Sequence, residues 1–245
     1  MALRVGRVLS HDEIERALVI TAHPDDVDFG GGGTVASLTD AGVSVTYCVV
    51  TDGQAGGFDD SIPRAQMASI RREEQTRAAA VVGVTDLEFL GLMDGSVESG
   101  LDLRHALSRV IRMVRPQVVL TQSPELNLLR IYASHPDHLA VAQSAIAAVY
   151  PDARNPYAFP ELLTSGFEPW SVDEVWVMGH HQPDAHVDIT NQIDRKIEAL
   201  LCHASQHPDP DRMVERVRAW NAAIAADAGL AEGSFAEGFL VVDTR

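Results

Sequence analysis

Four short stretches of this chain are largely apolar runs: ALVITA (17–22), VSVTYCVVT (43–51), LEFLGL (87–92) and PQVVLTQ (116–122). Strands of that kind are covered on both faces. The segments between them carry helical periodicity. TVASLTDAG (34–42) reads as a short helix ending at Gly42, and residues 64–83 as a long one closed by Gly83. LRHALSRVIRMV (103–114) places Leu103, Leu107, Val110, Ile111 and Val114 on one helical face, and HLAVAQSAIAAVY (138–150) is a further helix. Buried strands alternating with helices of this length predict an α/β fold, a Rossmann-like three-layer αβα sandwich on a mostly parallel, doubly wound sheet.

The rhythm breaks at 151–171, where prolines at 151, 156, 160 and 169 predict an irregular loop. Strands at 173–178 and 186–189, helices at 191–204 and 210–226, and a last strand at 239–243 follow. No repeat or low-complexity tract interrupts the pattern. The 245 residues suit a single domain over 1–245, with a core of about 17–206 and a C-terminal extension over 207–245.

Charge narrows the partners. A net charge of −16 repels phosphate backbones and anionic lipid, so nucleic acid and membrane surfaces are not the expected partners, and an anionic substrate would need a local basic patch. No run reaches the roughly 18 apolar residues of a membrane span. The first sixteen residues lack the apolar core of a signal peptide, so a cytoplasmic enzyme is expected. Cys48 and Cys202 both lie in apolar runs and read as buried free thiols, in keeping with a reducing compartment. A homo-oligomer is compatible with the sequence.

In doubly wound folds, ligands bind beyond the carboxyl ends of the strands. Residues 23–33, 51–57, 92–95 and 122–138 all fall there. The glycines after the first strand, in AHPDDVDFGGGGT (22–34), suggest a dinucleotide loop. The G-x-G-x-x-G spacing fails, however, since Val35 and Asp28 stand where glycines are needed. A pyrophosphate would also face Asp25, Asp26 and Asp28. Carboxylates gathered at such a turn call for a cation.

His-Pro-Asp occurs at 23–25, 135–137 and 207–209. The first two copies follow predicted strands and extend to H-P-D-D and H-P-D-H. Each therefore holds a second ligand type about one helical turn after its histidine. The third lies in SQHPDPD and reads as surface. Two histidines and a carboxylate around an open position are a common catalytic zinc set. His23, Asp26 and His138 are the expected ligands of one zinc ion per chain. Asp25 is left as general base on water activated by the metal, and His135 can polarise or protonate from the other side.

Five segments, in order, resemble the PIG-L/LmbE-like family of zinc-dependent N-acetylglucosaminyl deacetylases: AHPDD, RREEQTRAAAVVGV (71–84), FLGLMDG (89–95), HPDH and KIEALLCHASQ (196–206). The resemblance implies a hydrolase that removes an N-acetyl or other N-acyl group from an amino-sugar substrate. It implies zinc on His23, Asp26 and His138, Asp25 as base, and His135 as oxyanion stabiliser or acid. It also implies sugar contacts from Arg71, Asp94 and His203. Val27 follows HPDD where many members carry glutamate, and the acid comes one residue later as Asp28, expected behind the ligands. Tyr132 lies one residue further out than the tyrosine of some members.

Within the family, an amidase acting on a thiol or other acyl conjugate is an alternative. A two-histidine, one-carboxylate iron oxygenase uses the same ligand types, but on a β-barrel with an H-x-D pair. A non-enzymatic binding protein would not need the full catalytic set. His180 and His181 read as loop residues, not ligands, and His11 and His105 as surface. The 151–171 loop, with Tyr157, Phe159, Phe167 and Trp170, is the expected specificity element.

Overall fold

The computed structural model describes residues 3–4 and 9–245; residues 1–2 and 5–8, part of the N-terminal segment read above, lie outside it. The described residues form one eight-stranded sheet. Its strands are β1 (Leu3–Arg4), β2 (Arg16–Thr21), β3 (Ser44–Thr51), β4 (Asp86–Leu92), β5 (Val118–Gln122), β6 (Glu174–Met178), β7 (Ala185–Asp188) and β8 (Ala236–Asp243). The spatial order is β1-β7-β8-β6-β5-β2-β3-β4. Pairings from β4 through β6 are parallel, while those joining β6, β8, β7 and β1 are antiparallel. The parallel core is the predicted one, and the antiparallel edge is the C-terminal elaboration with an N-terminal strand added.

The longer helices are α1 (Asp26–Asp40), α2 (Arg64–Val81), α3 (Leu101–Val114), α4 (Pro136–Ala147), α6 (Ile193–Leu201) and α7 (Pro210–Asp227); the short α5 (Pro160–Thr164) falls in the 151–171 segment. Helices α1, α2 and α6 pack together, and α3 packs with α4. Two apolar cores result, one per sheet face. One holds Val19, Leu38, Leu120, Trp176 and Phe239; the other holds Leu18, Ile20, Leu107, Ile111 and Val119.

Strand β2 neighbours β5 in parallel, with Ala17 opposite Val118 and Ile20 opposite Thr121. The chain leaves β2 for α1 in one helical layer and leaves β5 for α4 in the other. The strand order reverses there, and such a switch point opens a crevice at the carboxyl edge. The first two H-P-D motifs, at 23–25 and 135–137, empty into it. Topology also places the 151–171 segment. Helix α4 starts at the carboxyl edge and returns, and β6 is parallel to β5, so their connection lies at the amino edge. Accordingly Trp170 donates to the Pro116 carbonyl (2.7 Å), just ahead of β5, and Arg112 donates to the carbonyls of Asp152, Ala153, Asn155 and Ala158. This loop is at the far end of the molecule from the crevice and is not its specificity element.

The four glycines are not a turn. They occupy the interior of α1, which starts eight residues before the helix expected at 34–42. Interior glycine costs roughly 0.5–1 kcal/mol each relative to alanine. Close packing is the compensation: a Cβ on Gly33 would lie 2.7 Å from Ile189 Cδ1. At the same place Glu237 accepts from the Gly33 and Thr34 amides (2.9 and 2.7 Å), and Lys196 donates to Glu237 (2.5 Å) and to the Phe29 carbonyl (2.7 Å). Lys196 and Glu237 are fully buried. Removing one partner of such a pair leaves an uncompensated charge. Lys196→Met is therefore expected to lower the unfolding free energy by about 3–5 kcal/mol. Chemical denaturation measures this, and a loss below about 1 kcal/mol would show that the pair does not pin α1.

Of the two cysteines, Cys48 is buried as expected, whereas Cys202 is half-buried at the end of α6.

Candidate active site

His23 and Asp26 come from the β2–α1 junction, and His135 and His138 from the start of α4. Their ring and carboxylate atoms meet across the switch point. His23 Nδ1 is 3.2 Å from His138 Nε2 and 3.4 Å from Asp26 Oδ2, and His138 Nε2 is 3.1 Å from Asp26 Oδ1. Four zinc bonds of about 2.0–2.1 Å in a tetrahedron would separate their donors by roughly 3.3 Å. The three groups stand at that spacing.

The charge balance also fits a cation. Burial opposes charge on His23, but hydrogen bonds to Asp137, Asp26 and Asp94 outweigh it and push the imidazole up to about 12. His138 is likewise opposed by burial and raised by Asp26, whose own carboxyl lies well below its ordinary value against burial because of the two histidines.

Asp25 is the N-cap of α1 and has a left-handed backbone (φ 91°). A non-glycine residue pays for this conformation, aspartate less than most. Three contacts hold it. Its amide donates to Gln75 Oε1 (2.7 Å), and Arg71 donates to its Oδ2 (3.0 Å) and to the preceding Pro24 carbonyl (2.6 Å). Arg71 also donates to the Gly53 carbonyl (2.8 Å). Gly53 has φ 63°, and a Cβ there would lie 2.5 Å from Arg71 Nη1, which is why the loop after β3 needs glycine. Burial first, countered by Arg71, brings the Asp25 carboxyl up to about 6.

His135 turns its Nδ1 to accept the Asp137 amide (3.2 Å). Burial, then the positive His23 and His138, hold it below its ordinary value, so the ring is neutral at pH 7. The hydrogen-bond network then assigns its proton to Nε2, a donor with no lone pair for a metal. His23, His135 and His138 also form a compact trio, and His23, Asp94 and Asp137 another.

Asp137 carried no assigned role in the sequence. It is buried, accepts from the Gly95 and Val97 amides (2.7 and 3.1 Å), and meets His23 Nε2 at 3.1 Å. It thus fixes which His23 nitrogen faces the centre. The signal was the repeated H-P-D itself: the same third residue faces the cavity in one copy and braces the other copy's histidine in the second. Gln75, inside the quoted RREEQ, was also missed. It links Asp25 to Asp28 through its Nε2 (2.9 Å).

Arg71 and Asp94 both line a cavity of about 380 Å³ with His23, Asp25, His135 and His138. Asp94 Oδ1 also lies 3.2 Å from His23 Nε2, and its Oδ2 accepts the Ala55 amide. His203 is not in that cavity. It is fully buried, and its Nε2 lies 2.9 Å from Asp28, itself fully buried. The expected sugar contact there is corrected: a side chain sealed behind Asp28 supports the Gln75–Asp25 pair and does not touch ligand. A second cavity of about 370 Å³, walled by Gln122, Ser123, Met178 and Tyr132, shares Asp25, Asp26 and His138 with the first. Tyr132 is 90% exposed at its mouth.

A doubly wound sheet carrying histidines and carboxylates at its switch point offers donors that could hold a metal ion. The family model PIG-L, GlcNAc-PI de-N-acetylase, matches residues 18–149. Diacetylchitobiose deacetylase of Thermococcus kodakarensis is 34% identical over 198 residues, 81% of this chain and 72% of that protein. A probable N-acetyl-alpha-D-glucosaminyl L-malate deacetylase 2 of Bacillus cereus is 33% identical over 77% of this chain and 82% of its own. The structure of N,N'-diacetylchitobiose deacetylase from Pyrococcus horikoshii superposes with a TM-score of 0.87 at 30% identity, covering 95% of this chain and 85% of that one. The chain belongs to the PIG-L family of de-N-acetylases, amidohydrolases by reaction class. Among the described residues no helix is long and apolar enough to cross a membrane.

Proposed function

We propose that this chain is a zinc-dependent hydrolase that removes the N-acetyl group from an N-acetylglucosamine conjugate. The observation that carries this reading is the convergence of His23, Asp26 and His138 to within 3.1–3.4 Å, with Asp25 beside them on the same cavity. The relatives' named substrates support the sugar; the donor set, two imidazoles and one carboxylate, supports zinc.

Zinc held by these three groups would supply Lewis-acid polarisation of the acyl carbonyl and make water more acidic. Asp25 takes a proton from the attacking water. A carboxyl brought up to about 6 is a competent base near neutral pH and a competent acid once protonated. The water oxygen bonds to the acyl carbon, the C–N bond breaks, and Asp25 returns its proton to the leaving amine. His135, a neutral Nε2–H donor, faces the carbonyl oxygen as it gains charge. Asp25, protonated by the attack, is the acid in this reading, and His135 the oxyanion donor. Arg71 positions Asp25, and with Asp94 it presents polar groups to the sugar hydroxyls.

Asp137→Asn is expected to weaken zinc binding by about 10–100-fold, because an amide no longer sets the His23 tautomer with a full charge. Competition with a chromogenic chelator measures this, and unchanged affinity would remove Asp137 from the support of the site. The function itself is tested by acetate release from N-acetylglucosaminides, before and after chelation and zinc return. No release by the zinc-loaded protein from mono- or disaccharide conjugates would overturn the reading.

A further inference from the structure

Among the described residues, three groups of histidines and carboxylates bring their donor atoms within 4.8 Å of one another. Two of them contain His23 and belong to the catalytic centre. The third, Glu125 with His180 and His181, does not. Glu125 lies in the 123–135 loop after β5, and the histidines follow β6. In an extended strand, consecutive side chains point to opposite faces. Here Gly179 takes a left-handed conformation (φ 67°) directly after β6, and the two rings come side by side, with centroids 4.5 Å apart and planes at 34°. Both rings then meet one carboxylate oxygen: Glu125 Oε2 is 3.1 Å from His180 Nε2 and 3.7 Å from His181 Nδ1.

We propose that Glu125, His180 and His181 form a second metal site, for zinc, which ties the 123–135 loop to the β6–β7 loop. Two imidazoles and a carboxylate suit that ion. Donors on one tetrahedral zinc stand roughly 3.3 Å apart. The His180–Glu125 pair meets that spacing, and His181, whose side chain is 45% exposed, reaches it by turning its ring. The far side of His180 supports the assignment independently. Its side chain is 5% exposed, and its Nδ1 lies 3.1 Å from the Gln182 amide nitrogen and 3.2 Å from the Gln182 carbonyl oxygen. One residue thus offers this nitrogen both a donor and an acceptor. With Nδ1–H donating to the carbonyl, Nε2 presents a lone pair on the Glu125 side, and the backbone contact orients the ring as it does in metal-ligating histidines. Without an ion, the other tautomer donates from Nε2 to Glu125. At His135, by contrast, Nδ1 meets only the Asp137 amide. Glu125 is also placed in advance, since its amide donates to Ser123 Oγ (3.2 Å) and the nearby Asn127 amide to Ser134 Oγ (2.8 Å). The chain's net charge of −16 favours cations at its surface.

This site touches no reacting group. The histidine pair walls a cavity of about 310 Å³ that shares Gly30, Arg130, Gly179 and Trp220 with the cavity containing Asp25, Asp26 and His138. The loop that carries Glu125 also carries Tyr132, at the mouth of the catalytic cavity, and ends at His135. An ion on Glu125 therefore braces that wall from outside.

The test uses the full chain, stripped with a chelator and titrated with zinc against a chromogenic competitor. Wild type is compared with Glu125→Gln and His181→Ala, both substitutions being at exposed side chains. Each is expected to remove one equivalent from the zinc that wild type binds, by weakening it beyond the about 10–100-fold lost when only a group behind a ligand is removed. Amide hydrogen exchange is the second readout. Zinc should slow exchange over 123–134 and 179–184 more in wild type than in Glu125→Gln. An unchanged zinc complement in both variants would overturn the site. Loss of the equivalent with the same exchange in both proteins would overturn the brace. Neither result bears on the deacetylase reading, because the metal counted is held by residues that the reaction does not use.

Discussion

Asp25→Asn should lower kcat by about 10²–10⁴ while the protein keeps its full complement of zinc. The substitution is close to isosteric, and asparagine tolerates the left-handed backbone that Asp25 adopts (φ 91°). The amide contact to Gln75 involves only the backbone and survives, as do the Arg71 contacts to the Pro24 and Gly53 carbonyls. What disappears is the one group able to accept the water's proton and return it to the amine. Steady-state kinetics with elemental analysis on the same preparation provides the check. Turnover within tenfold of wild type, with metal retained, would remove Asp25 from the proton transfers.

The second large effect separates two ligand sets that the structure offers. His23 and His138 are common to both; the third donor is Asp26 or His135. Asp26 lies 3.1 Å from His138 Nε2 and 3.4 Å from His23 Nδ1, whereas His135 spends its Nδ1 on the Asp137 amide. Asp26→Ala should therefore lose both zinc and activity. His135→Ala should keep zinc and lose about 3–4 kcal/mol of transition-state stabilisation, on the order of 10²–10³ in kcat, with little change in KM. Metal content of the two variants decides. A His135→Ala protein stripped of zinc, beside an Asp26→Ala protein that retains it, would exchange the two roles.

Several individual features show where sequence reasoning reached and where it stopped. The apolar runs at 17–22 and 116–122 were strands, and their H-P-D sequels did fall at one sheet edge. That they fall side by side depends on β2 pairing with β5, a contact between residues about a hundred apart. GGGG read as part of the turn after the first strand, ahead of a helix at 34–42. Only the approach of Ile189 to within 2.7 Å of where a Gly33 Cβ would stand, with the Lys196–Glu237 pair bonded to α1, explains glycine there. The 151–171 loop attracted a specificity role through its aromatics. The parallel direction of β6 sends it to the opposite edge, and the residues that wall the crevice come instead from 123–135 and α7. The third H-P-D, read as surface, caps α7 and lines a cavity at its start.

By itself the sequence determined the class of fold and the donor types available for chemistry. Hydrophobic periodicity is a local property, and two ligands one helical turn apart are near each other in any helix that contains them. The tertiary structure alone decided which way each donor faces. It turned His23 Nδ1 inward by giving Nε2 to Asp137, withdrew His203 behind Asp28, and committed His135 Nδ1 to the Asp137 amide. It also brought Glu125 up to His180 and His181. Those outcomes depend on partners far away in sequence and on the low dielectric of a buried site, where a single carboxylate sets the tautomer and charge of the ring beside it.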